Sequence, residues 1–276
     1  MMVFRFYALA LCVSGAASVG AQVVPPTRDS LAGITQRGQM LASYDSAAWV
    51  ATDAVLARQP SPDEIRGYLA FKRDGEWVVT FGRMSDDGRT YLIAYEARRN
   101  SPRMRTFDVT HHVPPRAETG ELAQAARALD VARAAFGRVT RPYNAAVLPA
   151  TDGEWFVYLM PAQTQAGIFP LGADERFRVS ADGREIRARR RVRNAVIEFG
   201  APSDSTRKGY TLEAGVQTTV LDNVPEDTDV FHVLVREPRV AQYVITDVFI
   251  YRIETSGAIR LLGRREEVLK DGKLPQ

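Results

Sequence analysis

The pattern of hydrophobic and polar positions predicts helices in the first part of the chain. Apolar residues at three- and four-residue intervals indicate two amphipathic helices near the start, the second beginning at Asp45 or Ser46 and ending before residues 60–62. The first helix has an apolar stripe formed by Leu31, Ile34 and Leu41. Gly33 and Gly38 interrupt this stripe. The clearest helix is predicted over residues 121–137, where Thr119 can cap the start.

Alternating apolar and polar positions predict strands through most of the remaining chain. Residues 77–81 and 91–95 flank the turn signal Asp87-Gly88, and a weaker strand over 104–113 ends at Pro114. Further candidates are residues 155–159, 177–179, 192–199, 216–221, 230–235, 243–253 and 259–262. The predicted fold class is therefore α+β, with a largely antiparallel twisted sheet and a few packed helices.

A partial repeat divides the pattern into two units. Asp74-Gly75-Glu76-Trp77 recurs as Asp152-Gly153-Glu154-Trp155, and each copy opens an alternating strand that follows a helix. A second echo relates residues 87–89 to residues 182–184, which implies an insertion in the second copy, most of it residues 161–174. Chance recurrence of common Asp-Gly turns is the alternative explanation; we interpret the repeat as a duplication of an α-β-β unit.

This unit resembles the PepSY-like modules of exported proteins, which are small α+β units of protease propeptides and envelope proteins. The resemblance covers residues 121–186 and, less closely, residues 46–97; the insertion departs from the compact pattern of the family. The family brings no catalytic residues to this sequence. The resemblance implies binding or inhibition rather than catalysis.

The N-terminus has the three parts of a secretory signal. Arg5 gives a positive charge, residues 6–13 are apolar, and residues 14–21 are small and end in Val19-Gly20-Ala21. We expect cleavage after residue 21 and a periplasmic or extracellular location. The predicted domains are a first α+β unit over 22–115, a second unit with the inserted loop and C-terminal strands over 116–263, and a polar tail over 264–276. The two units could equally form one continuous domain.

Composition narrows the possible functions. Cys12 is the only cysteine and lies in the predicted signal, so the mature chain has no disulfide and no thiolate chemistry. The net charge is +3, which argues against nucleic acid as a partner. No second apolar run is long enough to cross a membrane, so the mature protein is not expected to span one.

Three sets of residues could carry a function. The first is a metal or general-base set consisting of His111, His112, Asp229 and His232. Because neighbouring residues of a strand point to opposite faces, only one of the two adjacent histidines would join His232, which itself lies in a strand-like run. The alternative is a surface histidine pair and one histidine packed between strands.

The second set is a stripe of arginines that would share one face of a strand, namely Arg187, Arg189, Arg191 and Arg193. Such a ladder suits phosphates or carboxylates. The alternative, which we favour, is a solvated face whose partners are Glu175, Glu185 or Glu198. Only four lysines accompany the many arginines of this chain, so a local cluster of arginines is weak evidence.

The third set lies in the insertion and comprises Gln163, Gln165, Ile168 and Phe169. Apolar residues in a long loop must pack against the protein or meet a partner, and both readings stand. The leading functional prediction is an exported, non-catalytic binding protein for a peptide, a protein or an envelope component, without a cofactor. The alternatives are a metal- or histidine-dependent enzyme built around His232 and an anion binder that uses the arginines. No catalytic residue is assigned, and whether any activity exists is open.

Overall fold

The computed structural model describes residues 24–99, 106–192, 195–200, 214–219, 222–270 and 274. The fold is α+β, as predicted. The helices are α1 (Arg28–Leu56), α2 (Glu121–Phe136), α3 (Asp227–Val235) and the short α4 (Arg265–Val268). Strands β1 to β4 form an antiparallel sheet in chain order, with bounds Gly67–Arg73, Glu76–Met84, Tyr91–Arg99 and Phe107–Glu118.

Two further four-stranded sheets and one small pair complete the fold. The second sheet has the antiparallel order β5-β6-β8-β9, with bounds Tyr143–Pro149, Trp155–Pro161, Glu175–Val179 and Ile186–Arg191. The third has the order β11-β12-β13-β14, with bounds Ala214–Thr218, Ala241–Ile245, Phe249–Ile253 and Ile259–Arg264. The pair consists of β7 (Phe169–Leu171) and β10 (Ile197–Phe199).

Two units with the same order of elements contain the repeated motif. One is α1 followed by β1 to β4, and the other is α2 followed by β5, β6, β8 and β9. The repeated Asp-Gly forms the first hairpin turn in both: φ is 53° at Asp74 and 83° at Gly75, and 60° and 71° at the second pair. Positive φ at both central residues is the type I′ geometry that joins twisted strands. Trp77 and Trp155 open the following strands and are only 5% and 6% exposed, so both indoles belong to the core.

The second echo does not mark equivalent turns. Asp87-Gly88 joins β2 to β3, whereas Asp182-Gly183 joins β8 to β9, the third and fourth strands of its sheet. The likeness comes from the same local hydrogen bonds: Ser85 and Ser180 each donate to the aspartate two residues later at 2.6 Å. Turn chemistry therefore explains this echo, and the insertion is the connection between β6 and β8.

The helices cover opposite faces of the two sheets. α1 packs on a cluster that includes Trp77 and Val79 of the first unit and Tyr158 and Met160 of the second. α2 packs on a cluster that includes residues of β1 and β3 as well as Trp155 and its neighbours in β6. Because each core takes side chains from both units, they are packed as one body.

The neighbouring edges of these sheets meet along a seam, which here means the line between β1 and β5. Instead of a continuous ladder, the Tyr44 hydroxyl of α1 accepts the N–H of Ala70 at 3.1 Å and also that of Val147. The Tyr68 hydroxyl accepts a hydrogen bond from the N–H of Ala145 in the same way. Tyrosine hydroxyls thus satisfy edge donors that would otherwise be buried without a partner.

The first helix is continuous, so the prediction of two helices is wrong. Gly38 lies where α1 crosses α3, and a Cβ there would be 2.4 Å from the Val230 Cβ. The glycine allows this close crossing, and packing on both sides offsets its low helix propensity. Asp45 and Ser46, read as a cap, lie inside the helix.

Other differences have local causes. β4 continues through Pro114 and Pro115 to Glu118, because the prolines fall in a bulge of an edge strand, where no ladder donor is needed. Residues 243–253, predicted as one strand, form two strands, β12 and β13, which a turn at Asp247 joins. In the predicted polar tail, α4 forms and Val268, Leu269 and Leu274 pack against the third sheet. Helix α2 is as predicted except that its cap is Gly120 instead of Thr119.

Candidate functional site

The α1–α3 cleft, which we define as the open space between α1, the insertion and the C-terminal half of α3, has a volume of about 810 Å³. Its walls combine apolar and polar side chains from these three elements. A volume of this size is within the range of about 300–1,000 Å³ that small-molecule and peptide-anchoring sites occupy. The fold therefore brings segments distant in sequence to one concave surface.

The α1 wall carries an acid and an exposed indole. Trp49 is 56% exposed, which is unusual for so large an apolar side chain. Asp45 is half-buried and accepts a hydrogen bond from the Asn144 amide at 3.4 Å. Burial raises the pKa of Asp45 to about 6, although the Asn144 bond and the nearby His232 act in the opposite direction. This carboxyl group therefore changes charge just below neutral pH.

The α3 wall is built around His232. The run 230–235, predicted as a strand, is helical. Glu226 and Asp229 form a capping box that starts α3, in which the Asp229 carboxylate accepts a hydrogen bond from the Glu226 N–H at 2.9 Å. His232 Nε2 lies 2.9 Å from the Asp174 carboxylate at the end of the insertion. Asp174 is fully buried, and its other oxygen has no partner in the described part of the chain. The imidazole is thereby fixed beside the cleft.

The insertion forms the third wall. Gln163 and Phe169 line the cleft, whereas Gln165 and Ile168 form the tight turn at its tip, closed by a bond from the Ile168 N–H to the Gln165 carbonyl at 3.2 Å. After the tip, β7 pairs with β10, so the insertion is anchored rather than free. The insertion therefore packs on the protein and also presents two of its four candidate residues, Gln163 and Phe169, to the cleft.

A buried ionic network sets the position of α3. Asp227 at its start is 1% exposed and binds Arg37 of α1 at 3.0 Å, the Tyr158 hydroxyl at 2.7 Å, and Arg176. A carboxylate so deeply buried is tolerated because all three partners hydrogen-bond to it. The network ties α1, the second sheet and α3 together.

The four residues of the metal hypothesis are not brought together. His111 bonds to Glu64 at 3.3 Å and stacks on Tyr95, with ring centroids 4.3 Å apart. Asp229 belongs to the capping box, and His232 is paired with Asp174. Over the ranges that the structure describes, no three His, Cys, Asp or Glu residues are grouped so that they could hold a metal ion.

The described arginines of the stripe are paired with carboxylates. Arg189 and Arg191 both bind Glu175, and Arg187 binds Glu185 at 2.7 Å. Burial alone would raise the pKa of Glu175, but its hydrogen bonds to the two arginines outweigh this effect and lower it. These contacts agree with the solvated-face alternative that the sequence favoured. Arg193 lies outside the described residues.

Comparison of the chain with protein families, with curated proteins and with solved structures finds no match. The resemblance to PepSY-like modules therefore stays a prediction. In the described portion of the chain, no helix has both the length and the apolar character needed to span a membrane.

Sequence reasoning missed part of the site. Asp45 was read as a helix cap, Asp174 as the end of a loop, and neither Trp49 nor Asn144 was singled out as a site residue. The acidic start of α3 was a usable signal, because an acid at the cap with a second acid three residues later is typical of a capping box. The pairing of Asp174 with His232 had no sequence signal, since it depends on how the insertion folds back.

Proposed function

We propose that this chain is an exported, non-catalytic binding protein that holds a peptide segment of a partner or envelope component in the α1–α3 cleft. The observation that carries the proposal is the convergence on one cleft of the exposed Trp49, the half-buried Asp45 and the anchored insertion. Export rests on the signal-like residues 1–21.

The chemistry of the cleft indicates the kind of peptide. An exposed indole provides a flat apolar surface that loses little side-chain entropy on binding. Asp45, ionised at neutral pH because its pKa is about 6, attracts an ammonium or guanidinium group, and the Gln163 amide can bond to a peptide backbone. The preferred ligand is therefore a peptide with a basic residue close to an aromatic or aliphatic one.

Selection from a library of random octapeptides displayed on phage tests this proposal. The target is the mature chain, and the counter-target is the Trp49→Ala variant, whose truncated side chain is exposed and should not disturb the fold. We expect enrichment of peptides that combine a basic and an apolar residue. Their binding should weaken at least about tenfold in Asp45→Asn and Phe169→Ala, and stay unchanged in Val113→Ala, a control at an exposed position of β4. Equal enrichment on both targets would refute the proposal.

A second candidate, a histidine-dependent enzyme, is favoured by one observation. The buried Asp174 carboxylate bonds to His232 and fixes its ring, which is how many catalytic imidazoles are oriented. A panel of activated esters and peptide amides tests it. Hydrolysis that is lost in His232→Gln would support this candidate, and a wild-type chain without hydrolysis on the panel would remove it.

A further inference from the structure

A second cleft, which we call the seam cleft, lies along the seam between β1 and β5 and has a volume of about 760 Å³. It shares no lining residue with the α1–α3 cleft. Its walls are largely apolar and come from both units: Leu69, Phe71, Leu122, Leu148 and the two indoles of the repeated motif, Trp77 and Trp155. The duplication thus places one tryptophan from each copy at the same cavity.

The charges at the rim of the seam cleft are unbalanced. Lys72 and Arg73 are exposed, and neither forms an ion pair with a carboxylate of the described residues. Their cationic groups instead lie over aromatic rings: the Lys72 ammonium is 5.5 Å from the centre of Trp77, and the Arg73 guanidinium is 5.4 Å from that of Phe71. Two cations are therefore available directly above the apolar wall.

The other charged groups of the cleft do not cancel these cations. Arg37 is bound to Asp227, and Glu118 is bound to Arg116. Only Glu121, exposed in the first turn of α2, adds an acid without an ion pair in the described ranges. An apolar cavity with an excess of unpaired positive charge at its mouth complements a molecule with an apolar body and an anionic end.

We propose that the seam cleft binds a single-chain amphiphile with an anionic head group, of the kind represented by a fatty-acid carboxylate. The alkyl chain packs against Trp77, Trp155 and Leu122, where burial of its methylene groups supplies most of the affinity. The head group is bound by Lys72 and Arg73. This inference is independent of the proposed peptide site, because the two clefts share no lining residue.

Tryptophan emission tests the proposal with little ambiguity, because the chain has three tryptophans and two of them line this cleft. In a Trp49→Phe background all indole emission comes from Trp77 and Trp155. Addition of ω-bromododecanoate below its micelle concentration should quench this emission to saturation, since bromine quenches an indole on contact. Unbrominated dodecanoate should reverse the quenching, and dodecyltrimethylammonium at the same concentration should not.

A matched pair of charge variants tests the role of the rim. Lys72→Gln combined with Arg73→Gln should weaken binding of ω-bromododecanoate about tenfold, because two partly exposed charge contacts are lost. Arg28→Gln combined with Arg58→Gln removes the same net charge from exposed positions near the ends of α1 and should leave the affinity unchanged. Equal weakening in both pairs, reversal by the cationic detergent, or quenching that requires Trp49 would each overturn the proposal.

Discussion

At the scale of single residues, Asp45 lines the α1–α3 cleft, and the buried Asp174 binds His232 of the cleft wall. Asp45 interacts electrostatically with His232, and Asp174 is hydrogen-bonded to the same histidine at 2.9 Å. Asp45 is half-buried and Asp174 is fully buried, and a buried acid without sufficient partners destabilises the protein. Asp45 can take up a proton in an accessible pH range, because burial raises its pKa to about 6.

Asp45 should make the protein less stable as the pH rises from about 4 to about 6. Burial raises its folded-state pKa from 3.8 to about 6, so the folded protein binds a proton more tightly than the unfolded chain does. This stabilising effect is complete below the unfolded pKa and is lost as the pH passes the folded one. Asp45→Asn should therefore raise the free energy of unfolding at pH 7.5 relative to wild type, by on the order of 1–2 kcal/mol after allowance for partial exposure.

Urea unfolding at pH 4 and at pH 7.5 measures this difference. Asp53→Asn, an exposed acid on the same helix, is the matched control and should change neither value. A gain in Asp45→Asn that is the same at both pH values would contradict the assignment.

His232 should matter mainly as a partner of Asp174. His232→Ala leaves a fully buried carboxylate with neither oxygen bonded in the described structure, which should cost about 3–5 kcal/mol of unfolding free energy. His232→Gln keeps a donor within reach of Asp174 and should cost less than half as much. Thermal denaturation of the two variants measures the difference; equal losses would mean that the hydrogen bond is not the source of the stability.

At the scale of elements, the cleft depends on the close crossing of α1 and α3. This crossing could not be predicted from the sequence. The strand-like run 230–235 is helical because the capping box starts it, and Gly38 of α1 is a contact site rather than a break. Helix α2, the hairpin around Asp87-Gly88 and the strands that follow the repeated motif were predictable, because they follow from local periodicity and turn chemistry. Which residues meet across the cleft was not, since that is decided by tertiary packing.

Two glycines of the same helix test the crossing. Gly38→Ala would place a Cβ 2.4 Å from Val230 and 2.7 Å from the Asp227 carbonyl oxygen, so α1 and α3 must separate. At Gly33 the nearest atom to a Cβ is the end of the Arg37 side chain, at 3.4 Å. We expect Gly33→Ala to stabilise the protein by about 0.5–1 kcal/mol through helix propensity, and Gly38→Ala to destabilise it by about 1–3 kcal/mol. Chemical denaturation measures both; stabilisation by Gly38→Ala would contradict the close crossing.

At the scale of the whole molecule, the two repeated units and the third sheet are held together by α1. Its first half packs with α3 on the third sheet through Leu31 and Ile34, and its second half covers strands of both units. Since the cores on either side of the sheets also draw residues from both units, we expect a single cooperative unfolding transition.

Equivalent truncations in the two units test this expectation. Trp77→Ala and Trp155→Ala should each cost about 3–5 kcal/mol and shift the same transition, whereas Trp49→Ala, at an exposed position, should cost less than about 1 kcal/mol. Calorimetry records the transitions directly. Separate transitions, each moved by only one of the two core variants, would show that the units fold independently.

In the proposed function a basic peptide binds the α1–α3 cleft through Asp45, and the affinity of a selected peptide at two pH values measures this role of Asp45. Protonation of Asp45 removes the charge that the basic residue meets, and the pKa of about 6 places this change between pH 5 and pH 7.5. Calorimetric titration of wild type should give an affinity several-fold weaker at pH 5 than at pH 7.5, and Asp45→Asn should bind weakly at both pH values. An affinity that changes with pH to the same extent in wild type and in Asp45→Asn, or that does not depend on Asp45 at pH 7.5, would contradict it.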